Sequence, residues 1–464
     1  MQKNGRKDLI IDLLLLLAAG VVFCAYAIVN GYPLVYSDTG TYINSGFENE
    51  VPFDRPILYG LFLRHISLKA TLWLPVFFQG LMTAWSIRLL INQFPWTKSF
   101  RRKVFVSCIA ILTVFTGVAQ KTSNLLPDFT TALIPIIAVA FLLGEKLSRT
   151  EKVVALILLF FSFLAHGSNL YIGLLAVLIL SILRLILRAR FKLTDKKQLI
   201  YLWSVTGTAF ALMLIVNACY TGKPFISRNG SVFMTGHLAD CGLLDEFLIE
   251  KCEEKHYELC EWKGTFSQVD FLWDDVSSPH YKTGGWDTNE GRYNPMLRDF
   301  FTSPKFLGKY IASTLILGGK QIFDSGLHAD MENLPMKEGS APYGQIKWRY
   351  PSELTDYTSA RQYNNRLDYS VSNMLQNAAL LLSIILIPLG CVYLRSRSNA
   401  YRNIIIVLIF SVSTIFSNGI VCAGLTISNS RFGSRVIWLI PFVMVLIVAE
   451  MIRYKKSMNT IAGK

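Results

Sequence analysis

Charged residues are scarce in this 464-residue chain: Asp, Glu, Lys and Arg make up 17% of it, whereas 52% is hydrophobic. The apolar residues form long blocks, and this excludes a soluble domain. The chain also lacks a glycine-rich phosphate loop and an HExxH motif, the usual signals of a nucleotide-binding or zinc-dependent enzyme. No internal repeat is visible, although many transporters contain one.

The apolar blocks predict an all-α bundle of about ten transmembrane helices. They lie at 9–29, 71–90, 104–118, 129–143, 153–165, 170–187, 199–218, 374–394, 404–421 and 436–451. The first block is too long for a cleavable signal peptide, so we expect a retained first helix. Several blocks are shorter than the ~20 residues of a usual span, which implies tilt or local thinning of the bilayer.

Basic residues lie in short clusters between the apolar blocks, so the net charge of +14 does not indicate a nucleic-acid partner. The clusters occupy every second connection, at 3–7, 98–103, 146–152, 184–197, 395–402 and 453–456. Lys and Arg near helix ends are retained in the cytoplasm. We therefore expect a multi-pass protein of the plasma (inner) membrane, with both termini cytoplasmic and its unusual residues on the extracytoplasmic face.

The same pattern predicts three parts. Residues 1–218 form an N-terminal transmembrane module of about seven helices, and 374–464 form a C-terminal module of about three. Between them, residues 219–373 are mixed in composition and rich in tryptophan, which predicts a folded extracytoplasmic loop domain. We place the moderately apolar segment 310–322 on the membrane surface or in the core of this domain.

Four cysteines lie on the outer side or at its boundary: Cys219, Cys241, Cys252 and Cys260. An even outer set is compatible with disulfides. A metal site built from Cys241, Cys252, His256 and Cys260 is the alternative, although this spacing matches no familiar zinc pattern.

The first outer loop, residues 30–70, contains the strongest chemical signals. Asp38 closely follows the first apolar block. A carboxylate at the membrane surface is partly desolvated, which raises its pKa and suits a general base; alternatively, Asp38 could be a helix N-cap. In this loop Arg55 precedes an amphipathic run, residues 57–68, and Arg64 lies within it. They could neutralise a lipid phosphate, or extend to the headgroups by snorkelling.

Other outer connections carry further candidates. Asp128 precedes the fourth block, where it could be a second catalytic carboxylate or an N-cap, and Lys121 in the same loop could bind a phosphate. His166 lies at membrane depth, where an unsatisfied polar group is costly; it could bind phosphate or sugar, or cap a helix. Arg431 and Arg435 lie on the outer side against the positive-inside tendency, which indicates an anionic ligand.

These features resemble the GT-C superfamily of polytopic glycosyltransferases, which use polyprenyl-phosphate-linked sugars on the extracytoplasmic face. The likeness covers the N-terminal module and rests on layout and two motifs: Ser37, Asp38 and Tyr42 followed by Arg55, Pro56 and Tyr59, and Asp128 within LLPDFTTAL. The resemblance implies that Asp38 is the base and that Asp128 assists it. The chain departs from many members, which carry their soluble domain at the C-terminus.

The resulting hypothesis is a GT-C-like, inverting transferase that moves a sugar from a polyprenyl-phosphate donor to an extracytoplasmic lipid, glycan or protein. The predicted catalytic residues are Asp38 and Asp128, and the predicted substrate- or phosphate-binding residues are Tyr42, Arg55, Tyr59, Arg64, Lys121, His166, Arg431 and Arg435. No cofactor and no metal ligand are assigned, and a divalent metal is left open.

Two alternatives remain. A transporter or flippase for a lipid-linked glycan would be expected to show internal repeats and polar residues at the bilayer midplane. An O-antigen polymerase or ligase type of enzyme would share the large outer loop and the outer arginines. The early Asp38 and Asp128 favour the transferase hypothesis.

Overall fold

The computed structural model describes residues 2–144, 147–187, 195–327, 336–426 and 429–462. Within these ranges the protein is helical, with 75% helix and no β-strand; Leu34 and Asn124 form an isolated bridge. The all-α prediction is confirmed for this part of the chain. Lys146 and residues 188–194, which belong to two predicted basic clusters, lie outside the described residues.

The N-terminal part contains eleven helices among its described residues. They are α1 Gln2–Val22, α2 Ala25–Asn30, α3 Ser37–Glu48, α4 Leu58–Ile66, α5 Trp73–Ile91, α6 Lys98–Phe115, α7 Val118–Ser123, α8 Phe129–Leu143, α9 Arg149–Ala165, α10 Gly167–Leu187 and α11 Lys196–Thr221.

Short helices dominate the middle of the chain and long ones its end. The middle helices are α12 Gly230–Asp240, α13 Leu243–Lys251, α14 Pro279–Lys282, α15 Gly285–Thr288, α16 Asn294–Thr302, α17 Pro304–Phe323, α18 Ala341–Arg349 and α19 Leu354–Ser359, with 3₁₀ turns at Glu258–Trp262, Phe266–Gln268 and Pro351–Glu353. The last four are α20 Ser370–Leu394, α21 Tyr401–Leu425, α22 Ser430–Ile437 and α23 Leu439–Ala462.

Six helical segments of the described chain are long and apolar enough to cross a membrane, as expected of a membrane protein. They are Trp73–Ile91, Gly167–Ile186, Lys196–Thr221, Ser370–Leu394, Tyr401–Leu425 and Ser430–Asn459. The other four predicted blocks lie in helices that are shorter or carry charged residues near one end: α1, α6, α8 and α9.

Local sequence explains several helix boundaries. Thr97 Oγ1 accepts a hydrogen bond from the backbone N–H of Phe100 and so starts α6. Ser148 and Glu151 form a capping box that starts α9. At the other end of a long helix, Gly222 adopts φ +77° and terminates α11, a conformation that costs glycine little.

Ion pairs and a hydrogen bond connect the early and late parts of the chain at one end of the bundle. Asp12, at the middle of α1, pairs with Arg88 near the end of α5 and with Arg102 near the start of α6. Asp8, in the first half of α1, also pairs with Arg102. At the same end, the indole N–H of Trp96 donates to Glu450 at the middle of α23. Both termini therefore lie toward one end of the bundle, and the starts of α8 and α10 lie toward the other.

Close packing fixes α3, the helix that carries Asp38. A Cβ added at Gly46 would lie 2.0 Å from the carbonyl oxygen of Gly60, so α3 and α4 touch backbone to backbone. On another side, a Cβ at Gly40 would lie 2.5 Å from the carbonyl carbon of Ala341 in α18. Any larger side chain at these glycines would push α3 away from its neighbours.

The predicted loop domain, residues 219–373, contributes to three hydrophobic clusters, the smallest of which joins Leu327 and Tyr369 to Leu34. Buried residues between Val232 and Phe306 form a core of their own. Residues such as Ile346 and Tyr350 belong instead to the main core, together with the bundle. The second stretch therefore helps to hold α3 and α4, whereas the first forms a separate helical unit.

The predicted surface segment 310–322 lies within α17. Phe306 and Tyr310, at the start of this helix, join the core of the loop region. Farther along, α17 packs on α21, where a Cβ at Gly318 would lie 2.7 Å from the side chain of Ile420. The segment therefore begins in the predicted location and continues along a candidate span, because small residues let the two helices approach closely.

A disulfide joins Cys252 to Cys260. The prediction of disulfides is thus confirmed, and the alternative metal site is wrong because two of its four ligands are consumed as a disulfide. Cys219 and Cys241 remain free thiols.

Cys252→Ser should loosen the segment after α13. The disulfide closes a loop with a sequence separation of 8 residues. By lowering the entropy of the unfolded chain, a loop of this length stabilises the folded state by about 2.5 kcal/mol. We expect faster cleavage of this segment in limited proteolysis under non-reducing conditions. The matched control is Cys241→Ser, which removes a free thiol; equal protease resistance of both variants would contradict a stabilising role.

Candidate functional site

The start of α3 brings Asp38 to the end of the bundle opposite the termini. Thr39 Oγ1 accepts from the backbone N–H of Tyr36 and donates to the carbonyl of Leu125, which ties α3 to the connection before α8. The helix begins at Ser37 with Tyr36 as its N-cap. Asp38 therefore lies within the first turn rather than at the cap, and the capping alternative is wrong.

The outer arginines are presented by α22. The Asn429 side chain accepts from the backbone N–H of Arg431, which starts the helix. Arg431 and Arg435 are four residues apart and thus lie on the same helical face. Both are buried, Arg435 completely.

Asp38 is held between two arginines. Its Oδ1 lies 3.2 Å from Arg55 Nη1, and its Oδ2 lies 3.1 Å from Arg431 Nη1. Arg55 also forms an ion pair with the neighbouring Asp54. The Asp38 side chain is 23% exposed, so a ligand outside the cluster can reach this carboxylate.

Asp128 binds the same face of α22 from a deeper position. Its Oδ2 accepts from Arg431 Nε at 2.7 Å, and its Oδ1 accepts from Arg435 Nη1 at 3.3 Å. Asp128 occupies the N-cap position of α8, but its side chain makes no capping hydrogen bond. With 2% exposure, it orients the arginines rather than facing open space.

His166 contacts the buried pair formed by Asp128 and Arg435. Its Nε2 lies 3.8 Å from Asp128 Oδ1 and 3.4 Å from Arg435 Nη1. Its Nδ1 accepts from the backbone N–H of Ser168, and the Ser168 hydroxyl accepts from Arg435 Nη2 at 3.0 Å. The connection between α9 and α10 is thereby locked onto α22.

The surroundings lower the pKa of all three groups, Asp38, Asp128 and His166. Burial raises the pKa of the Asp38 carboxyl, but Arg55 and Arg431 lower it by more, so this pKa lies below its ordinary value. Burial likewise raises the pKa of the Asp128 carboxyl, but the charges of Arg431 and Arg435 lower it by more, so this pKa also lies below its ordinary value. Burial and the charge of Arg435 lower the pKa of His166 to about 3, which keeps it neutral at physiological pH.

This result corrects one expectation. A raised pKa was expected for Asp38 because of desolvation at the membrane surface. Desolvation is present, but two guanidinium groups bind the carboxylate and stabilise its charged form. In this arrangement Asp38 is fully ionised and only weakly basic.

Three other predicted residues lie close to the cluster. The Arg55 guanidinium lies 5.0 Å from the ring centre of Tyr42, which stacks edge-on against Tyr59 at 4.9 Å. Tyr59 is fully buried and its hydroxyl donates to Gln79, so this side chain supports α3 from below. Lys121 is buried in α7, and its charge contributes to the lowered pKa of Asp128.

Arg64 is the predicted residue that the structure separates from the others. It donates to the carbonyl of Gly46 and to Asn49 Oδ1, at the C-terminal end of α3. Asp38 lies at the opposite end of this helix, two turns away. The unpaired carbonyls of a helix C-terminus attract a cation, and this explains the position of Arg64 better than a phosphate or snorkelling does.

Several partners of the arginines were missed in the sequence. Arg435 Nε donates to Asn418 Oδ1 at 2.9 Å, and its Nη2 lies 3.1 Å from Cys422 Sγ. Asn418 lies within the candidate span α21. A polar residue inside an apolar block is the signal that could have identified it.

The cluster as a whole has an excess of positive charge. Four cations, Arg55, Lys121, Arg431 and Arg435, face three carboxylates, Asp38, Asp54 and Asp128, while His166 is neutral. Among the described residues no group of three or more His, Cys, Asp or Glu side chains is placed to hold a metal ion. This arrangement suits an anionic ligand such as a phosphate.

In comparisons with known proteins, no family model, no curated protein and no solved structure matches this chain.

Proposed function

We propose that the protein is a membrane glycosyltransferase of the GT-C type, which transfers a sugar from a polyprenyl-phosphate donor to a lipid, glycan or protein acceptor. The observation that carries this proposal is the position of Arg431, which is shared between a partly exposed carboxylate, Asp38, and a buried one, Asp128. In this arrangement Arg431 provides a site for an anion, and Asp38, in direct contact with it, provides a carboxylate base.

The arginines bind the donor phosphate in this proposal. The side chain of Arg55 is 10% exposed and that of Arg431 is 9% exposed, whereas the side chain of Arg435 is fully buried. The first two can therefore contact a phosphate, and guanidinium groups match its oxygens in a bidentate manner. They stabilise the negative charge that develops when the sugar–phosphate bond breaks.

Asp38 is the base of the reaction. When a phosphate occupies Arg55 and Arg431, it competes with the carboxylate for their N–H groups, so the pKa of Asp38 rises toward its ordinary value. Asp38 then accepts the proton of the acceptor hydroxyl as its oxygen bonds to the sugar, and the phosphate leaves with its lipid. A single displacement of this kind inverts the configuration at the sugar carbon.

Labelled polyprenyl-phosphate sugar, supplied to membranes that contain the protein, tests the proposal. Transfer of label into an acceptor fraction is the expected result. Movement of intact labelled donor across the membrane without transfer would instead show a flippase, and loss of label without dependence on Asp38 would contradict the proposed site.

For the membrane arrangement, we propose about ten spans, cytoplasmic termini and an extracytoplasmic cluster. Both termini lie toward the same end of the bundle, opposite the cluster. The disulfide supports this orientation, because disulfides persist in oxidising compartments. These observations are consistent with the basic clusters being cytoplasmic anchors.

Reporter fusions test this topology. A reporter inserted before Ser148, at the start of α9, should report the cytoplasm, and one inserted after Gly339, in the connection before α18, should report the outside. Alkaline phosphatase and green fluorescent protein give opposite readouts for these locations. The same side for both positions would overturn the proposed number of spans between them.

A further inference from the structure

A cavity of about 310 Å³ lies beside the charge cluster, between the start of the bundle and the loop region. One wall consists of Thr41 and Asn44 from α3 and of Glu50 and Asp54 from the connection to α4. Trp273 and Trp286 of the loop region also line the cavity. Its size is at the lower end of the ~300–1,000 Å³ typical of small-ligand pockets.

The two tryptophans form an aromatic surface. Their ring centres are 5.6 Å apart and their planes are inclined by 41°. Trp286 is anchored, because its indole N–H donates to Tyr281 and its ring packs on Phe233. Trp273 is 48% exposed, so its ring is accessible to a ligand from the cavity.

The rest of the lining is mixed: Val51, Pro52 and Phe53 are apolar, whereas the residues beside them offer hydrogen-bond donors and acceptors. Asn44 Oδ1 accepts from Gln345 Nε2, which fixes the Asn44 amide as a donor. Thr41 can donate and accept, and the Glu50 carboxylate accepts. Hydroxyl groups need this mixture, since each of them donates one hydrogen bond and accepts others.

From these walls we infer that the cavity binds a carbohydrate: one or two sugar rings, with their C–H faces on Trp273 and their hydroxyls on α3 and the following connection. An aromatic cage for a cationic ligand fits less well, because the two indoles lie side by side rather than around a centre. In addition, the charge of Asp54 is already neutralised by Arg55.

The position of the cavity gives the bound sugar a role. Asp54 lines the cavity and pairs with Arg55, which in turn binds Asp38. A sugar in this cavity is therefore connected to the proposed base, Asp38, through two consecutive ion pairs, Asp54–Arg55 and Arg55–Asp38. Its role as the acceptor subsite rests on the proposed transferase function, whereas the binding itself does not.

Saturation-transfer NMR on the full-length protein in nanodiscs tests the binding. The probes are methyl β-D-glucopyranoside, methyl α-D-mannopyranoside and methyl N-acetyl-β-D-glucosaminide, with no donor present. We expect transfer to the ring protons of at least one glycoside and about 10-fold weaker binding by Trp273→Ala, on the scale of one lost aromatic contact.

Trp348→Ala is the matched control, because Trp348 is also exposed, at 63%, and does not line the cavity. It should bind the probes as the native protein does. Absence of transfer to all three glycosides, equal binding by both variants, or preferential transfer to tetramethylammonium would each overturn the inference.

The transfer assay separates this inference from the proposed function. Glycoside binding without any sugar transfer would leave the carbohydrate site intact and reject the transferase. If transfer occurs, Trp273→Ala should raise the acceptor KM about 10-fold without changing the donor KM. An unchanged acceptor KM would reject the subsite and leave the transferase standing.

Discussion

Asp38→Asn should lower sugar transfer by about 10²-fold or more, the usual contribution of a general base, while the protein stays folded in the membrane. Asn keeps the shape of the side chain but cannot take a proton from the acceptor. The fold should tolerate the change because Arg55 retains Asp54 and Arg431 retains Asp128 as ion-pair partners.

The measurement is the initial rate of label transfer at saturating donor, with protein amount determined by blotting and monodispersity by size-exclusion chromatography. Asp299→Asn is the matched control, since Asp299 is an acid of the loop region that pairs with Lys255. Near-normal transfer by well-expressed Asp38→Asn protein would remove Asp38 from the chemistry. The case for a transferase would then rest on the arginines alone.

Asp128→Asn should destabilise the protein by about 3–5 kcal/mol, the cost of breaking a buried ion pair. Asp128 neutralises Arg431 and Arg435, and Arg435 has no exposure to water. Without the carboxylate, the charge of Arg435 is left with neutral partners, the Asn418 and Ser168 side chains among them. Thermal unfolding of the purified protein in detergent measures the loss, again with Asp299→Asn as the control.

A double variant separates charge from shape. Adding Arg435→Gln to Asp128→Asn removes the stranded cation, so part of the lost stability should return. The lowered pKa of Asp128 also predicts a pH effect: its stabilisation is present above the ordinary value of 3.8 and is lost as the pH falls below it. Native and Asp128→Asn proteins should thus become more alike in acid, and a constant difference would contradict this account.

The grouping of the site was predictable from chain topology. Asp38, Asp128, His166 and Arg431 each lie beside a helix end, and alternation of the helices places those ends together. Each acid alone is ambiguous, because Asp near a helix start is a common N-cap. The agreement of their positions supplied the signal, and the predicted neighbours were found in contact.

The contacts within the group could not be predicted in this way. Nothing in the order of residues indicates that Arg431 bridges two carboxylates, because that depends on how far α22 enters the bundle. The contact of Arg64 with the C-terminus of α3 was not anticipated, because the end of this helix had no predicted boundary. Similarly, the described part of the chain contains six long apolar helices where ten apolar blocks were counted, since hydropathy does not separate a short buried helix from a short span.

The long separation between the partners has a consequence for biosynthesis. Arg431 follows Asp128 by 303 residues in the chain, so the ribosome makes the two acids long before it makes the cations of α22. Until α22 has been made, Asp38 lacks Arg431, and Asp128 lacks both Arg431 and Arg435. The cluster can therefore be completed only after the last helices have been synthesised, so its net charge during synthesis differs from that of the finished protein.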